Sequence, residues 1–435
     1  MGKAELWLRN LIKIDTTNEK QSEILAATYL KEELAKENID STILFSTANR
    51  ASIVAKLHGC GKKEEPLVLL SHLDVVAANE QEWSYPPFSA AVAGEAIWGR
   101  GTLDTKQLTV MHLIAFISLK RKGFLLNRDI YFVSTADEEN GSAEGMSYLA
   151  KTHPEIFNGA TVLSEGGGFT VEGVDQCYML YACGEKGTAR VKLTATGEGG
   201  HAGSPPVNQA IDHLTHVLSL LQETGFASST YNVEKFFKLR IKEQKLINDQ
   251  LSFVRQLREY MSQLTYTVEH ISIGEQLNVV PYKAEAIIEF RLLPYQTEKQ
   301  FVEQIIPLLA RKEVGVEILS FEQGYESDAL SEMVQLFKKF SFRESRSMEW
   351  VPFTALGKTD GRFIGQNARN IYGLSPTLTP FTEVLKRVHQ VDERIEIDSF
   401  QYGVEMMRNV VQEYCMMKGG GEVVSSSTRE NESSD

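Results

Sequence analysis

Four short apolar runs, ASIVAKL, PLVLLSHLDVV, DIYFVSTAD and ATVLSEGGG, lie between residues 51 and 168, with stretches of helical spacing between them. Few architectures accept strands and helices in that alternation, and it predicts an α/β fold with a mostly parallel mixed sheet flanked by helices. Upstream, Leu6, Leu8, Leu11 and Ile12, then Ile24, Tyr29, Leu30 and Leu34, recur as on amphipathic helices. The run LTVMHLIAFISLKRKG reads as one helix, closed by Lys120, Arg121, Lys122 and Gly123.

The texture changes near residue 187. GTARVKLTAT alternates like a strand, AIDHLTHVLSLLQ is helical, and TYTVEHISIG and AEAIIEFRLL are two more strands. A helix near 297 to 312 and the strand VGVEILSF complete a βαββαβ order, the split unit of a ferredoxin-like α+β domain. The expected organisation is a first catalytic part at 1–186, an inserted domain at 187–324 with an extra helical segment at 233–263, and a second catalytic part at 325–417. The polar Gly- and Ser-rich stretch 418–435 reads as a disordered tail.

Composition narrows the function classes. A chain of 435 residues exceeds one ordinary core, and its net charge of −13 argues against nucleic acid as a partner. The four cysteines, Cys60, Cys177, Cys183 and Cys415, show neither CxxC spacing nor a disulfide framework. With a polar, charged start and no apolar run near ~20 residues, the expectation is a cytoplasmic protein without a membrane partner.

Several runs break off at metal-ligand residue types. PLVLLSHLD ends with His72 and Asp74, DIYFVSTADEE with Glu138 and Glu139, and ATVLSEGGG with Glu165; Asp104 in GRGTLDTK precedes the long helix. In open α/β sheets, sites form beyond the carboxyl ends of the strands, so these side chains should converge. One imidazole among several carboxylates suits a divalent metal such as zinc, cobalt or manganese. The carboxylates are too many for one tetrahedral zinc, whereas two ions ~3.5–4 Å apart sharing a bridging Asp would use them. The chain has no GxSxG, HExxH or P-loop, GRGTLD lacks the last glycine of GxGxxG, and DEENGSAEG breaks the EF-hand register.

Taken in order, SHLDVV, WGRGTLDTK, ADEENGS, LSEGG, GHAGSPP, LNVVP, FRLLP and GKTDGRF, with a late His389, resemble one family of dinuclear zinc peptidases. That family includes aminoacylase, carboxypeptidase G, carboxypeptidase S, acetylornithine deacetylase and succinyl-diaminopimelate desuccinylase. The resemblance implies that His72 and Glu165 bind one ion, Glu139 and His389 the other, and that Asp104 bridges them. It makes Asp74 the carboxylate that orients His72, and Glu138 the general base and later acid. His201 corresponds to an oxyanion-binding histidine, usually supplied across a dimer interface. Arg291 and Asn278 match residues that grip a free substrate carboxylate, and Gly357 lines that end of the pocket. The inserted domain then serves as a lid and pairs in a homodimer. Lys358 stands where many relatives carry a second glycine, and the segment 233–263 resembles the carboxypeptidase S and N-acyl-amino-acid hydrolase branch.

Each residue also has a plainer reading. His72 alone could be a core histidine, Glu138 and Glu139 a solvated strand end, Asp104 a helix cap, and Glu165 a turn residue. His201 could be a surface histidine, and Arg291 could pair with Glu289, two residues away on a strand. Nothing local marks His389. The activity implied is hydrolysis of the amide bond of an N-acyl amino acid or short peptide with a free carboxylate. An aminopeptidase of the related dinuclear clan is one alternative; a catalytically inactive relative serving binding or assembly is another.

Overall fold

Trp7, Leu8, Leu11 and Ile12 form one stripe at helical spacing, and in the computed structural model of the protein they are buried on helix α1 (Lys3–Lys13). The structure describes residues 2–60, 64–123, 125–174, 176–226, 236–238, 240–246, 248–341, 348–355 and 357–417. Its described residues group into two units. One lies within Met1–Val162, Glu332–Ser341 and Lys386–Asp435, the other within Leu163–Ser331 and Phe342–Leu385.

In the first unit, α2 (Glu23–Ala35) leads into strands β1 (Ser41–Phe45), β2 (Ala51–Leu57) and β3 (Leu67–His72). Two short strands, β4 (Ala91–Ala93) and β5 (Ala96–Trp98), precede α3 (Lys106–Lys122), β6 (Ile130–Thr135) and α4 (Met146–Thr152). The order is β1-β2-β6-β3. β3 runs parallel to β6, from Leu67 opposite Ile130 to His72 opposite Thr135, whereas β1–β2 and β2–β6 are antiparallel. The parallel pair needs a long crossover, which α3 supplies. All six residues of β3 are buried, as a strand covered on both faces must be. α3 stops where Gly123 turns to φ 63° and donates its N–H to the Lys120 carbonyl. The helix Ile397–Cys415 packs on α3, where Gln412 bridges Lys122 and Ser118, and its Met406 and Met407 are buried.

β7 (Thr161–Ser164) carries the chain from the first unit into the second. There β9 (Cys177–Glu185), buried at every residue, pairs antiparallel with β8 (Phe169–Glu172), and β10 (Gly187–Thr196) follows it. Next come β11 (Gly200–His201), α5 (Ala210–Glu223), β12 (Thr265–Ile273), β13 (Val279–Val280), β14 (Lys283–Leu292) and β15 (Val314–Glu322). β16 (Tyr325–Glu326), β17 (Met348–Ala355) and β18 (Asn370–Gly373) return to β9, β17 in parallel and the other two antiparallel. Pairing on β9 is therefore mixed, and its parallel partner β17 is reached through a long connection.

The four-stranded sheet has the order β12-β14-β10-β15, all antiparallel. Its apolar face holds Val191, Leu193, Ile288 and Phe290 against Leu214 and Val217 of α5 and Phe301. The segment 233–263, read from sequence with the inserted domain, has its apolar side elsewhere. Phe237, Ile241, Leu246, Val254, Leu257 and Met261 cluster with Tyr178, Leu180, Val351 and Phe353, so they cover β9 and β17. Residues 233–235, 239 and 247 of that segment, and the stretch 418–435 read as a tail, lie outside the described residues. Among the described residues no helix is long and apolar enough to cross a membrane.

Candidate metal centre

β3 ends at His72, which is 2% exposed. Its Nδ1 lies 2.9 Å from the backbone carbonyl of Asp74, an acceptor only, so Nδ1 carries the proton. Nε2 then points at Asp104 Oδ1, 3.0 Å away. A lone pair facing a carboxylate oxygen at that distance needs a second proton or a cation between them.

The Asp74 carboxylate turns away from the ring, 3.6 Å from Nδ1 at its nearest, and takes three N–H donors. Oδ1 accepts the Glu138 amide at 3.0 Å, and Oδ2 accepts the Glu139 amide at 3.0 Å and the Asn18 side chain at 2.9 Å. Burial opposes the charge of Asp74, but the nearby His72 imidazole and the hydrogen bonds from Asn18 and the Glu139 amide hold its carboxyl below the usual range. One carboxylate thus orients the imidazole through its own backbone and sets both neighbouring glutamates.

Those glutamates do not extend β6, which ends at Thr135. Asp137 sits at φ 64° and Glu138–Asn140 form a 3₁₀ turn, so the strict strand alternation considered for the pair does not apply. Asp137 is buried against Arg50 at 2.9 Å, and its carboxylate takes the Glu144 amide. Arg50 also binds Glu23 at 2.8 Å and the Asn18 side chain at 3.0 Å. Burial pushes the Glu23 carboxyl up to about 7.

Asp104 is not the cap of α3; the N-cap is Thr105, which makes no side-chain cap bond. Its two oxygens divide between two imidazoles, Oδ1 at 3.0 Å from His72 Nε2 and Oδ2 at 3.0 Å from His389 Nε2. His389, held at φ 60°, also reaches Glu139 Oε1 at 3.2 Å. Despite burial, the bonds from His389 and His72 hold the Asp104 carboxyl far below its ordinary value. Burial raises that of Glu139. Hydrogen bonds to Asp104 and Glu139 push the His389 imidazole up to about 10.

One ligand atom each from His72, Asp104 and Glu139 lies within 4.8 Å of the others. Buried imidazole and carboxylate donors that share protons at contact distance form a donor set in which divalent cations replace those protons. The residues fit a metal centre.

The other candidates lie in the second unit. Glu165 directly follows β7 and is partly buried, with Gly166 (φ 93°) and Gly168 (φ 94°) after it. A side chain at Gly168 would strike the Ser375 backbone at 2.5 Å, so glycine is required where that loop approaches. His201 is exposed on β11. Gly203 N–H donates to its Nδ1 at 3.0 Å, which leaves the neutral ring's proton on Nε2; Asn278 Nδ2, 2.9 Å from that atom, is a donor and does not accept the proton. On β14, Arg291 pairs with Glu289 at 2.8 Å, the arrangement of its plainer reading. A side chain at Gly357 would meet no described atom within 4 Å.

A family model described as peptidase family M20/M25/M40 matches residues 68–413. The chain belongs to that family. It is an enzyme of the peptidase and amidohydrolase type, a metal-dependent hydrolase of amide bonds. A probable succinyl-diaminopimelate desuccinylase of Staphylococcus aureus (strain MSSA476) is 28% identical over 424 residues, covering 94% of this chain and 97% of that one. The human N-fatty-acyl-amino acid synthase/hydrolase PM20D1 is 26% identical over 389 residues, 82% of this chain and 75% of that one. The crystal structure of the M20 family metallo-carboxypeptidase Sso-CP2 from Sulfolobus solfataricus shares the fold, with a TM-score of 0.72 at 21% identity over 95% of this chain and 99% of that one.

Each unit of this M20 family member also holds buried charged residues that the motifs did not single out. Buried Glu393 accepts the Leu103 amide at 2.7 Å and the Asp104 amide at 3.3 Å, and it pairs with buried Arg100 at 2.6 Å. Lys106 donates to the Leu11 carbonyl at 3.0 Å and the Ile14 carbonyl at 2.8 Å, and burial pulls its ammonium down to about 7. In the second unit, buried Glu185 takes the Thr359 amide at 3.2 Å and hydroxyl at 2.6 Å, and burial pushes its carboxyl up to about 7. Arg100, Lys106 and Thr359 stand inside recognised motifs, a signal that could have been used. Glu393 has only its nearness to His389 in sequence.

Proposed function

We propose that this enzyme cleaves the amide bond of N-acyl amino acids or short peptides that carry a free carboxylate, using two divalent ions. The observation that carries the reading is the division of one carboxylate between two imidazoles, Asp104 Oδ1 toward His72 and Oδ2 toward His389. That is the disposition of a carboxylate shared by two cations. His72 and Glu165 would hold one ion, Glu139 and His389 the other, and Asp104 both. Zinc suits this mixed nitrogen and oxygen set, with cobalt or manganese as the other choices. Cations bound there polarise the scissile carbonyl and lower the pKa of water to the range where hydroxide forms at neutral pH.

The chain's own residues do the remaining work. Glu138, fixed through its amide by Asp74, takes a proton from the attacking water and delivers it to the departing nitrogen. His201 hydrogen-bonds the oxyanion through Nε2–H, its tautomer set by the Gly203 N–H at Nδ1. Arg291 and Asn278 bind the substrate carboxylate, and Gly357 leaves room beside it. The domain read at 187–324 acts as a lid and as the contact of a homodimer, in which a second copy supplies His201. Among the described residues Cys60, Cys177, Cys183 and Cys415 form no disulfide, which accords with the reducing cytoplasm.

The test is a hydrolysis screen of N-acyl amino acids and of amino- or carboxyl-blocked dipeptides, with zinc, cobalt or manganese returned to the apoprotein. Cleavage that needs the free carboxylate supports the reading, and cleavage that needs a free amine instead makes the enzyme an aminopeptidase. Glu138→Gln should keep its metal and lose about 10²–10⁴-fold in kcat. Near-full activity in that variant would sink the mechanism.

A further inference from the structure

On the polar face of the four-stranded sheet, Thr188 of β10 stands opposite Arg291 of β14 on one side and Glu322 of β15 on the other. Two residue pairs along, on the same face, Arg190 stands opposite Glu289. Lys358, from the loop after β17, reaches this face with its side chain 30% exposed. Its neighbour Thr359 is bound to buried Glu185, and its methyl group would lie 3.5 Å from a side-chain carbon at Gly166. Lys358 is thereby tied to the loop that begins at Glu165.

Three carboxylates here are shared among four cations, Glu269 holding Arg190 at 2.8 Å. Glu289 gives Oε1 to Arg291 at 2.8 Å and Oε2 to Arg190 at 2.9 Å, and that same Oε2 is 4.0 Å from Lys358 Nζ. Glu322 Oε2 takes the Thr188 hydroxyl at 3.1 Å and lies 3.4 Å from Lys358 and 3.7 Å from Arg362 Nε. The two contacts of Lys358 are long, so three ammonium donors remain under-compensated. Glu289 stands between Arg291 and Lys358. A ligand therefore meets each cation from its outer side and cannot bridge both with one carboxylate.

We propose that Lys358 is a specificity-determining residue that reads a second carboxylate on the substrate. The preferred substrates are then dicarboxylates: acyl derivatives of an acidic amino acid, or amino acids carrying a dicarboxylic acyl group. The inference rests on the amide-hydrolase reading and on Arg291 as the site of the first carboxylate.

The experiment compares kcat/KM of the metal-loaded full chain for N-acetyl-L-glutamate and N-succinyl-L-alanine with that for N-acetyl-L-alanine. The same ratios are taken for Lys358→Gln and Lys358→Arg, and succinate and acetate binding are measured by calorimetry on all three proteins. The wild type should prefer at least one dicarboxylate, and Lys358→Gln should reduce that preference at least about tenfold, as loss of one charge-assisted hydrogen bond does. Lys358→Arg should keep most of it. A preference unchanged in Lys358→Gln, or absent from the wild type, overturns the proposal. If no amide is cleaved but succinate binding still falls at least about tenfold in Lys358→Gln, the hydrolase reading fails and the role of Lys358 stands.

Discussion

Arg100 and Glu393 form a buried ion pair at 2.6 Å although 293 residues separate them in the chain. Burial alone would raise the Glu393 carboxyl, and it does so even with Arg100 and the Leu103 amide opposing it. The carboxylate is also the fixed point of the loop that carries Asp104, through the amides of Leu103 and Asp104. Glu393→Gln should therefore cost about 3–5 kcal/mol of stability by leaving Arg100 without its counter-charge. It should also weaken metal binding by about 10–100-fold, as loss of outer support usually does. Thermal denaturation and metal titration of the same variant check both, and unchanged metal affinity would remove Glu393 from the account of the site.

The sharing of Asp104 predicts a graded response to ligand removal. His389→Ala should lose one of two bound metal equivalents and Asp104→Asn should lose both, with hydrolysis down by more than about 100-fold in each. Elemental analysis after dialysis reads the stoichiometry. Two equivalents retained by Asp104→Asn would contradict the bridging role.

His201 and Asn278 form a polar pair in which the histidine proton is directed by Gly203. His201→Ala should lower kcat by about 100-fold or more, as removal of an oxyanion donor does. Asn278→Ala should have a smaller effect of the same kind, because the Gly203 contact still sets the tautomer. A change confined to KM in His201→Ala would make that residue a binding group only.

His112 sits wholly buried on α3, neither ring nitrogen has a hydrogen-bond partner among the described residues, and burial pulls its imidazole down to about 3 from an ordinary 6.5. Between those values the unfolded chain binds a proton that the folded chain refuses. Stability is complete above 6.5 and falls as pH drops, by about 1.4 kcal/mol per unit. In chelator, His112→Leu should flatten the decline between pH 6.5 and 5 by about 2 kcal/mol in urea denaturation. An equally steep decline in the variant would assign the acid sensitivity to other groups.

Much of the site is legible along the chain because strands end where the sheet must place its chemistry. His72, Asp104, Glu138 and Glu139 each stand at such an end or at the start of α3, and residue type carries the metal reading. The roles inside the cluster are not legible in this way. Asp74 serves His72 with its carbonyl and the two glutamates with its carboxylate, because β3 and β6 both stop and the chain turns into a 3₁₀ segment. No pattern of apolar residues encodes that turn.

Sequence alone determined where the apolar runs stop, that α3 ends at Gly123, and, with the segment 233–263 set aside, the succession of the longer strands and helices between residues 187 and 322, though not the short strands β11 and β13. These follow from local spacing and from backbone limits that each residue carries with it. Tertiary structure decided the rest. It set His389 against Asp104 and Glu139, buried Glu393 on Arg100 beneath the Asp104 loop, and turned the helix Asn248–Ser262 toward β9 and β17. In each case the partner is remote in the chain, and a buried charge or apolar face is satisfied only by what folding brings to it.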